Sequence, residues 1–148
     1  MARFNYRLQT ILNVKKQMED KAKNELASNI QVLNKEQQKL QDIVHGRDSC
    51  YRRVVQESKE GLDVQRLIQY SRYLNAMNIQ LNSQYESVNR ASMNVDIHRE
   101  KLVSVAKEKK MLETLKDKKM QEHKYNELKE EEKRVDEVVS YKYITGLA

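Results

Sequence analysis

Residues 57–63 read Glu57-Ser58-Lys59-Glu60-Gly61-Leu62-Asp63, and the fold is decided there. Gly61 can take the left-handed conformation that closes a helix C-terminus, and Asp63 stands where an N-cap would open the next helix. No other stretch offers a comparable break. The chain has 148 residues with 3 Gly and no Pro, so it carries turn material for one reversal and little more. Two long helices joined once are what remains, and so short a connection makes them antiparallel neighbours.

Working outward from the break, both flanks carry helical periodicity. Upstream, steps of three and four lead from Phe4 through Leu8, Ile11, Lys15, Met18, Ala22, Leu26, Ile30, Leu33, Gln37, Leu40, Val44, Arg47 and Tyr51 to Val54. All but Lys15, Gln37 and Arg47 are apolar, and the consecutive steps of four from Met18 to Ile30 predict a local stutter in the coiled coil. Gly46 falls inside this helix at a cost of about 1 kcal/mol relative to Ala. Downstream, Leu67, Tyr70, Leu74, Met77, Leu81, Gln84, Val88, Ala91, Val95, His98, Leu102, Val105, Lys109 and Leu112 alternate without interruption.

The sequence therefore predicts an all-α fold, a long two-helix antiparallel coiled coil (a helical hairpin) with an overhanging C-terminal helix. One unit over 1–148 is expected, with helix one at about 4–58, a turn at about 59–63 and helix two at about 64–140. Pairing about Gly61 matches residues whose numbers sum to about 123, which puts Leu8 near Leu115, Phe4 near Met120 and Tyr51 near Leu74. At 1.5 Å per residue helix two, at roughly 115 Å, outruns helix one, at roughly 80 Å. Composition changes where the partner should end: residues 113–134 hold 14 charged residues among 22. Runs such as Lys129-Glu130-Glu131-Glu132-Lys133-Arg134 can keep a solvated helix through i,i+4 pairs worth a few tenths of a kcal/mol each.

Charge and chemistry narrow the function. The formal charge is +6, but it is spread: 12 Lys and Arg face 8 Asp and Glu over residues 1–62, 8 face 5 over 63–112, and 8 face 9 over 113–148. Interleaved acid and base suit solvated helix faces better than a phosphate-tracking patch, so no nucleic-acid partner is expected. With glycines only at 46, 61 and 146 no phosphate cradle can be built, and a two-helix coil offers no pocket to desolvate catalytic groups. The expected protein is not an enzyme and has no catalytic residues, cofactor, metal or direct small-molecule ligand. His45, His98 and His123 do not cluster with Cys50 at metal-ligand spacing; His98 reads as a polar seam residue and Cys50 as a spectator thiol. A lone cysteine asks for no oxidising compartment, which suits a cytosolic protein. The basic start, with Arg3, Arg7, Lys15 and Lys16 ahead of Glu19, reads as the first turns of a coiled-coil helix rather than a lipid-binding or transit segment.

One feature exceeds what a seam needs. In Leu67-Ile68-Gln69-Tyr70-Ser71-Arg72-Tyr73-Leu74 apolar residues surround much of the helix, and Tyr73, Ile68 and Ile79 fall off the stripe. Exposed aromatics there make a docking surface, unless Tyr73 folds over the seam with only its hydroxyl wet. Tyr73 and Met77 are expected to share an exposed edge, with Tyr70 and Leu74 mainly holding the seam.

Phe4-x-Tyr6-Arg7-Leu8-Gln9-Thr10-Ile11-Leu12, Ala22-Lys23-x-Glu25-Leu26, Tyr70-x-x-Tyr73-Leu74, Arg99-x-x-Leu102 and Leu112-Glu113-x-Leu115-Lys116-x-Lys118 together resemble the FliJ family of bacterial flagellar export proteins, in order over nearly the whole chain. The ending Ser140-Tyr141-Lys142-Tyr143-Ile144-Thr145 departs from the family pattern. The resemblance implies a cytoplasmic component of the flagellar type III export apparatus, peripherally associated with the cytoplasmic face of the inner membrane at the flagellar base. It implies the export ATPase FliI and the cytoplasmic domain of the gate protein FlhA as partners, with FliH and export chaperones besides. On that reading Tyr70, Tyr73, Leu74 and Met77 meet the gate, and Phe4, Leu8, Lys116, Lys119, Glu122, Lys129 and Glu130 meet the ATPase ring. The other readings are a generic cytoplasmic coiled-coil scaffold or tether and, behind it, a basic nucleic-acid-binding rod.

Overall fold

The computed structural model describes residues 2–146; the ends of the span read from the sequence, Met1, Leu147 and Ala148, lie outside them. It holds two helices, α1 (Gln9–Glu60) and α2 (Val64–Gly146). Gly61 has φ of 99°, a conformation that an L side chain resists. The Asp63 carbonyl accepts the first bond of α2 from the Leu67 amide at 3.0 Å, as an N-cap residue does. Where the sequence suggested one unit, contacts group into two compact units. One combines residues up to 19 with those from 104 onward, and the other spans Asp20–Val103.

In the unit of residues 20–103 the α2 seam follows the alternation read from sequence, with Met77, Leu81, Ala91 and Val95 buried. Leu67 departs from it at 50% exposure. The α1 seam is a correction. Ala22, Leu26, Asn29, Leu33, Glu36, Leu40, Ile43, Arg47, Cys50, Val54 and Glu57 are buried or half-buried in an unbroken alternation without a stutter, with Glu25, Val44, Gly46 and Asp48 half-buried beside it. Ile30 and Tyr51, expected inside, are exposed. A stutter in one strand of a two-stranded coil needs a matching one opposite, and α2 has none; the strict repeat wins although it brings polar residues to the seam. Glu36 and Glu57 find partners across it, whereas Asn29 donates to the Glu25 carbonyl of its own helix at 2.7 Å and the buried Arg47 Nε, 3.7 Å from Asp48, makes no hydrogen bond among the described residues. Gln84 Nε2 donates to Glu36 Oε2 at 2.6 Å and to the Glu36 carbonyl at 2.8 Å, and Lys101 lies 3.5 Å from Glu25. Arg66 closes the row with bonds of 2.8 and 2.9 Å to the Glu57 carboxylate. Gly46 has a packing reason: a Cβ there would stand 2.9 Å from Met77 Cε, so the missing side chain is the space Met77 fills.

The unit of residues 2–19 and 104–146 repeats the pattern. Leu12, 1% exposed, is its most buried side chain, while Ile11 and Met18, expected in the seam, are exposed. Glu19 is buried, with Lys109 Nζ at 3.1 and 3.3 Å from its two oxygens; a carboxylate inside a coil needs such a cation. Lys15 pairs with Glu108. The first helix starts at Gln9, not near Phe4. Continued helix would turn Tyr6 off the seam, whereas the non-helical segment buries its ring and lets its hydroxyl donate to the Leu112 carbonyl at 3.0 Å.

Candidate partner-docking surfaces

At the turn, the last seam layer is an ion pair, so the apolar residues around it stay outside. Val64, Leu67, Ile68 and Tyr73 are exposed, Tyr73 by 52%. Tyr70 is half-buried, with the Arg66 guanidinium carbon 5.9 Å from its ring centroid. The Arg66 hydrogen bonds, helped by Tyr70, hold the Glu57 carboxyl below its ordinary range, and the same contacts raise Arg66. A groove runs beside this layer, lined by Ser49, Cys50, Arg53, Arg66, Tyr70 and Tyr73 among others.

Of the four residues expected at the gate surface, Tyr73 stands out from the coil, Tyr70 and Leu74 are half-buried in the seam, and Met77 is buried at 8%. Met77 does not share an exposed edge with Tyr73, because its methyl end occupies the space Gly46 leaves. Arg53 and Arg66, which were not among the expected docking residues, put cations on the groove. Their signal was available: Arg53 and Arg66 flank a turn whose residues 57–63 hold three acids, Glu57, Glu60 and Asp63, against one base, Lys59.

In the terminal unit the structure gathers Phe4, Leu8, Lys119 and Glu122 at one groove together with Arg3, Arg7 and Leu115. Leu8 and Leu115 line the same groove, in keeping with the register. Phe4 packs on His123 rather than Met120, with ring centroids 5.5 Å apart. Lys119 pairs with Glu122 at 3.5 Å. Lys116 is half-buried outside that groove. Lys129 lies further along α2, its Nζ 5.2 Å from the Tyr125 ring, and Glu130 lines a second, shallow groove with Ala2, Lys124 and Arg134.

The overhang begins later than the sequence suggested. An extended residue advances about 3.3 Å against 1.5 Å in a helix, so residues 2–8 reach further along α2 than helix would, to His123. Beyond Glu127 every described residue of α2 is exposed, among them Val135, Val138, Val139, Tyr141, Tyr143 and Ile144. The helix continues to Gly146, past the end expected near 140.

Among the described residues no helix is long and apolar enough to cross a membrane, and no three His, Cys, Asp or Glu side chains gather as metal ligands. No curated protein matches the sequence. The chain is similar in structure to CT670 from Chlamydia trachomatis, described as a YscO homolog. The TM-score is 0.64 at 25% identity, covering 92% of this chain and 93% of that one. The family model for the flagellar FliJ protein matches residues 4–147. With a match over nearly its whole length, the chain belongs to the FliJ family of flagellar proteins, non-catalytic components related to type III export.

Proposed function

We propose that this chain is a coiled-coil stalk and chaperone escort of the bacterial flagellar type III export apparatus, linking the export ATPase ring to the export gate. It works at the cytoplasmic face of the inner membrane, with FliI and the cytoplasmic domain of FlhA as main partners and FliH and export chaperones as further ones. The observation that carries this reading is the unpartnered end of α2. Residues 128–146 form a single exposed helix with no covering segment among the described residues, dense in interleaved charge over 129–137 and mostly uncharged after it. A slender helix of that kind enters a polar ring pore with little desolvation cost, and its exposed charges can exchange partners as ring subunits change state. Tyr73, with Leu67 and Ile68, supplies the apolar contact for the gate.

The test uses two variants and two partners. Removal of residues from 129 onward is expected to abolish binding to FliI and leave FlhA binding unchanged, while Leu67→Ala plus Tyr73→Ala does the reverse. Loss of both interactions in either variant, with helicity intact by circular dichroism, would contradict the division of labour between the two surfaces.

A further inference from the structure

Residues 2–8 leave the helical path, and the contacts that hold their first half converge on one side chain. His123 Nε2 lies 3.2 Å from the Ala2 carbonyl oxygen and 3.2 Å from Glu127 Oε1. Both atoms accept, so Nε2 carries a hydrogen whether the ring is neutral or charged. The Phe4 ring packs on the same imidazole at 5.5 Å between centroids, tilted by 52°.

We propose that residues 2–5 are a proton-sensitive strap, clamped onto α2 when His123 is protonated and loosened when it is neutral. Each contact strengthens in the same direction. A cationic imidazole is the better donor to the Ala2 carbonyl and gains a charge-assisted bond to Glu127. It is also attracted to the aromatic ring beside it, which lies within the ~6 Å range of such contacts. Imidazole is the side chain whose ordinary charge change falls in the physiological pH range.

The remaining charges around His123 do not reverse this. On α2, Lys119 is paired with Glu122 at 3.5 Å, and Lys124 lines the groove that also holds Ala2 and Glu127. Arg3 on the strap and Arg7 just past its root line the His123 groove and oppose the imidazolium. They are exposed to solvent, where screening reduces their effect, while Glu127 is in direct contact. Tyr6 anchors the root of the strap in both states, since its ring is buried and its hydroxyl donates to the Leu112 backbone carbonyl.

The proposal is tested on the full chain carrying Cys50→Ala and Ala2→Cys, with a fluorophore on the new thiol; the contact at residue 2 is made by its backbone carbonyl, which the change keeps. Fluorescence anisotropy is followed from pH 5.5 to 8.0. The ratio of docked to released strap is expected to fall roughly threefold to tenfold as pH rises, the range for one partly exposed charged contact with a ring contact beside it. His123→Gln should flatten the profile and Glu127→Gln should reduce its amplitude, with circular dichroism unchanged in both. A parent profile that is flat, or one that His123→Gln leaves intact, overturns the proposal. Relaxation of the Ala2 methyl carbon in the unsubstituted chain gives the same readout if Cys50→Ala disturbs the seam: mobility must rise over that pH range, and constant mobility overturns the strap.

Discussion

Replacing Gly46 by Ala should do almost nothing to stability, and the reason it does nothing can be measured. Glycine inside a helix costs about 1 kcal/mol relative to alanine, so Gly46→Ala ought to stabilise α1 by that amount. The new Cβ, however, would stand 2.9 Å from Met77 Cε, a contact too close to persist. Met77 is buried, so its flexible end must turn aside to a less favoured rotamer. An off-rotamer side chain costs about 0.5–1.5 kcal/mol, which cancels the helical gain to within about 0.5 kcal/mol. In a Met77→Ala background the obstacle is gone. Gly46→Ala should then recover about 1 kcal/mol, a shift of roughly 2–4 °C in unfolding midpoint for a chain of this size. Met77→Ala by itself should cost about 2–3 kcal/mol, the lower part of the range for large-to-small changes, because a two-helix seam can partly close. Urea unfolding of the four proteins, followed by circular dichroism, gives the coupling directly. Equal stabilisation by Gly46→Ala in both backgrounds would show that Met77 makes no use of the space at Gly46 and would refute this packing.

Three further outcomes follow from the contacts. Glu57 is held below the ordinary carboxyl range, chiefly by Arg66 and then by Tyr70, so its contribution is present above the unfolded carboxyl value and lost as pH falls through the folded one. The difference in thermal midpoint between wild type and Glu57→Gln should therefore be largest near neutrality and shrink below about pH 4; a constant difference down to pH 2.5 would contradict this. Tyr6→Phe removes the bond to the Leu112 carbonyl while keeping the buried ring, and should cost about 0.5–1 kcal/mol in urea unfolding. Because exposed ion pairs contribute under about 1 kcal/mol each, single reversal of Lys119, Glu122 or Lys129 should leave ATPase binding within about threefold of wild type. A tenfold loss from any one of them would mean that a single contact dominates.

The turn and the whole of the α2 seam beyond Leu67 were legible because both rest on local signals, a glycine that can go left-handed and an uninterrupted alternation of apolar residues. The α1 seam was not. Ile11, Met18, Ile30 and Tyr51 each lie one residue from the true seam positions Leu12, Glu19, Asn29 and Cys50. Counting apolar residues favours the former, and only the requirement to stay in phase with α2 selects the latter. The strap was hidden for a related reason. Phe4 and Leu8 fit helical steps, and the advantage of leaving the helix appears only when Tyr6 has Leu112 within reach. Tyr73 could be recognised as standing off the stripe; Met77 lay on the stripe, and what failed was its expected exposed edge beside Tyr73, because the gap at Gly46 in the opposite helix admits its methyl end.

The central claim is that the uncovered end of α2 engages the export ATPase, and it is tested most directly by the stimulation of ATP hydrolysis and ring assembly by a chain that ends at Leu128. That truncation keeps His123, Glu127 and the hydrogen-bond and ring contacts of residues 2–8, losing only the exposed Glu130 and Arg134 side of the groove that Ala2 lines, so its thermal unfolding should stay near that of the full chain. The account predicts that stimulation and ring assembly fall to the level seen without the protein. Full stimulation by the folded, truncated chain would contradict it and move the ring contact to the paired helices or to the turn.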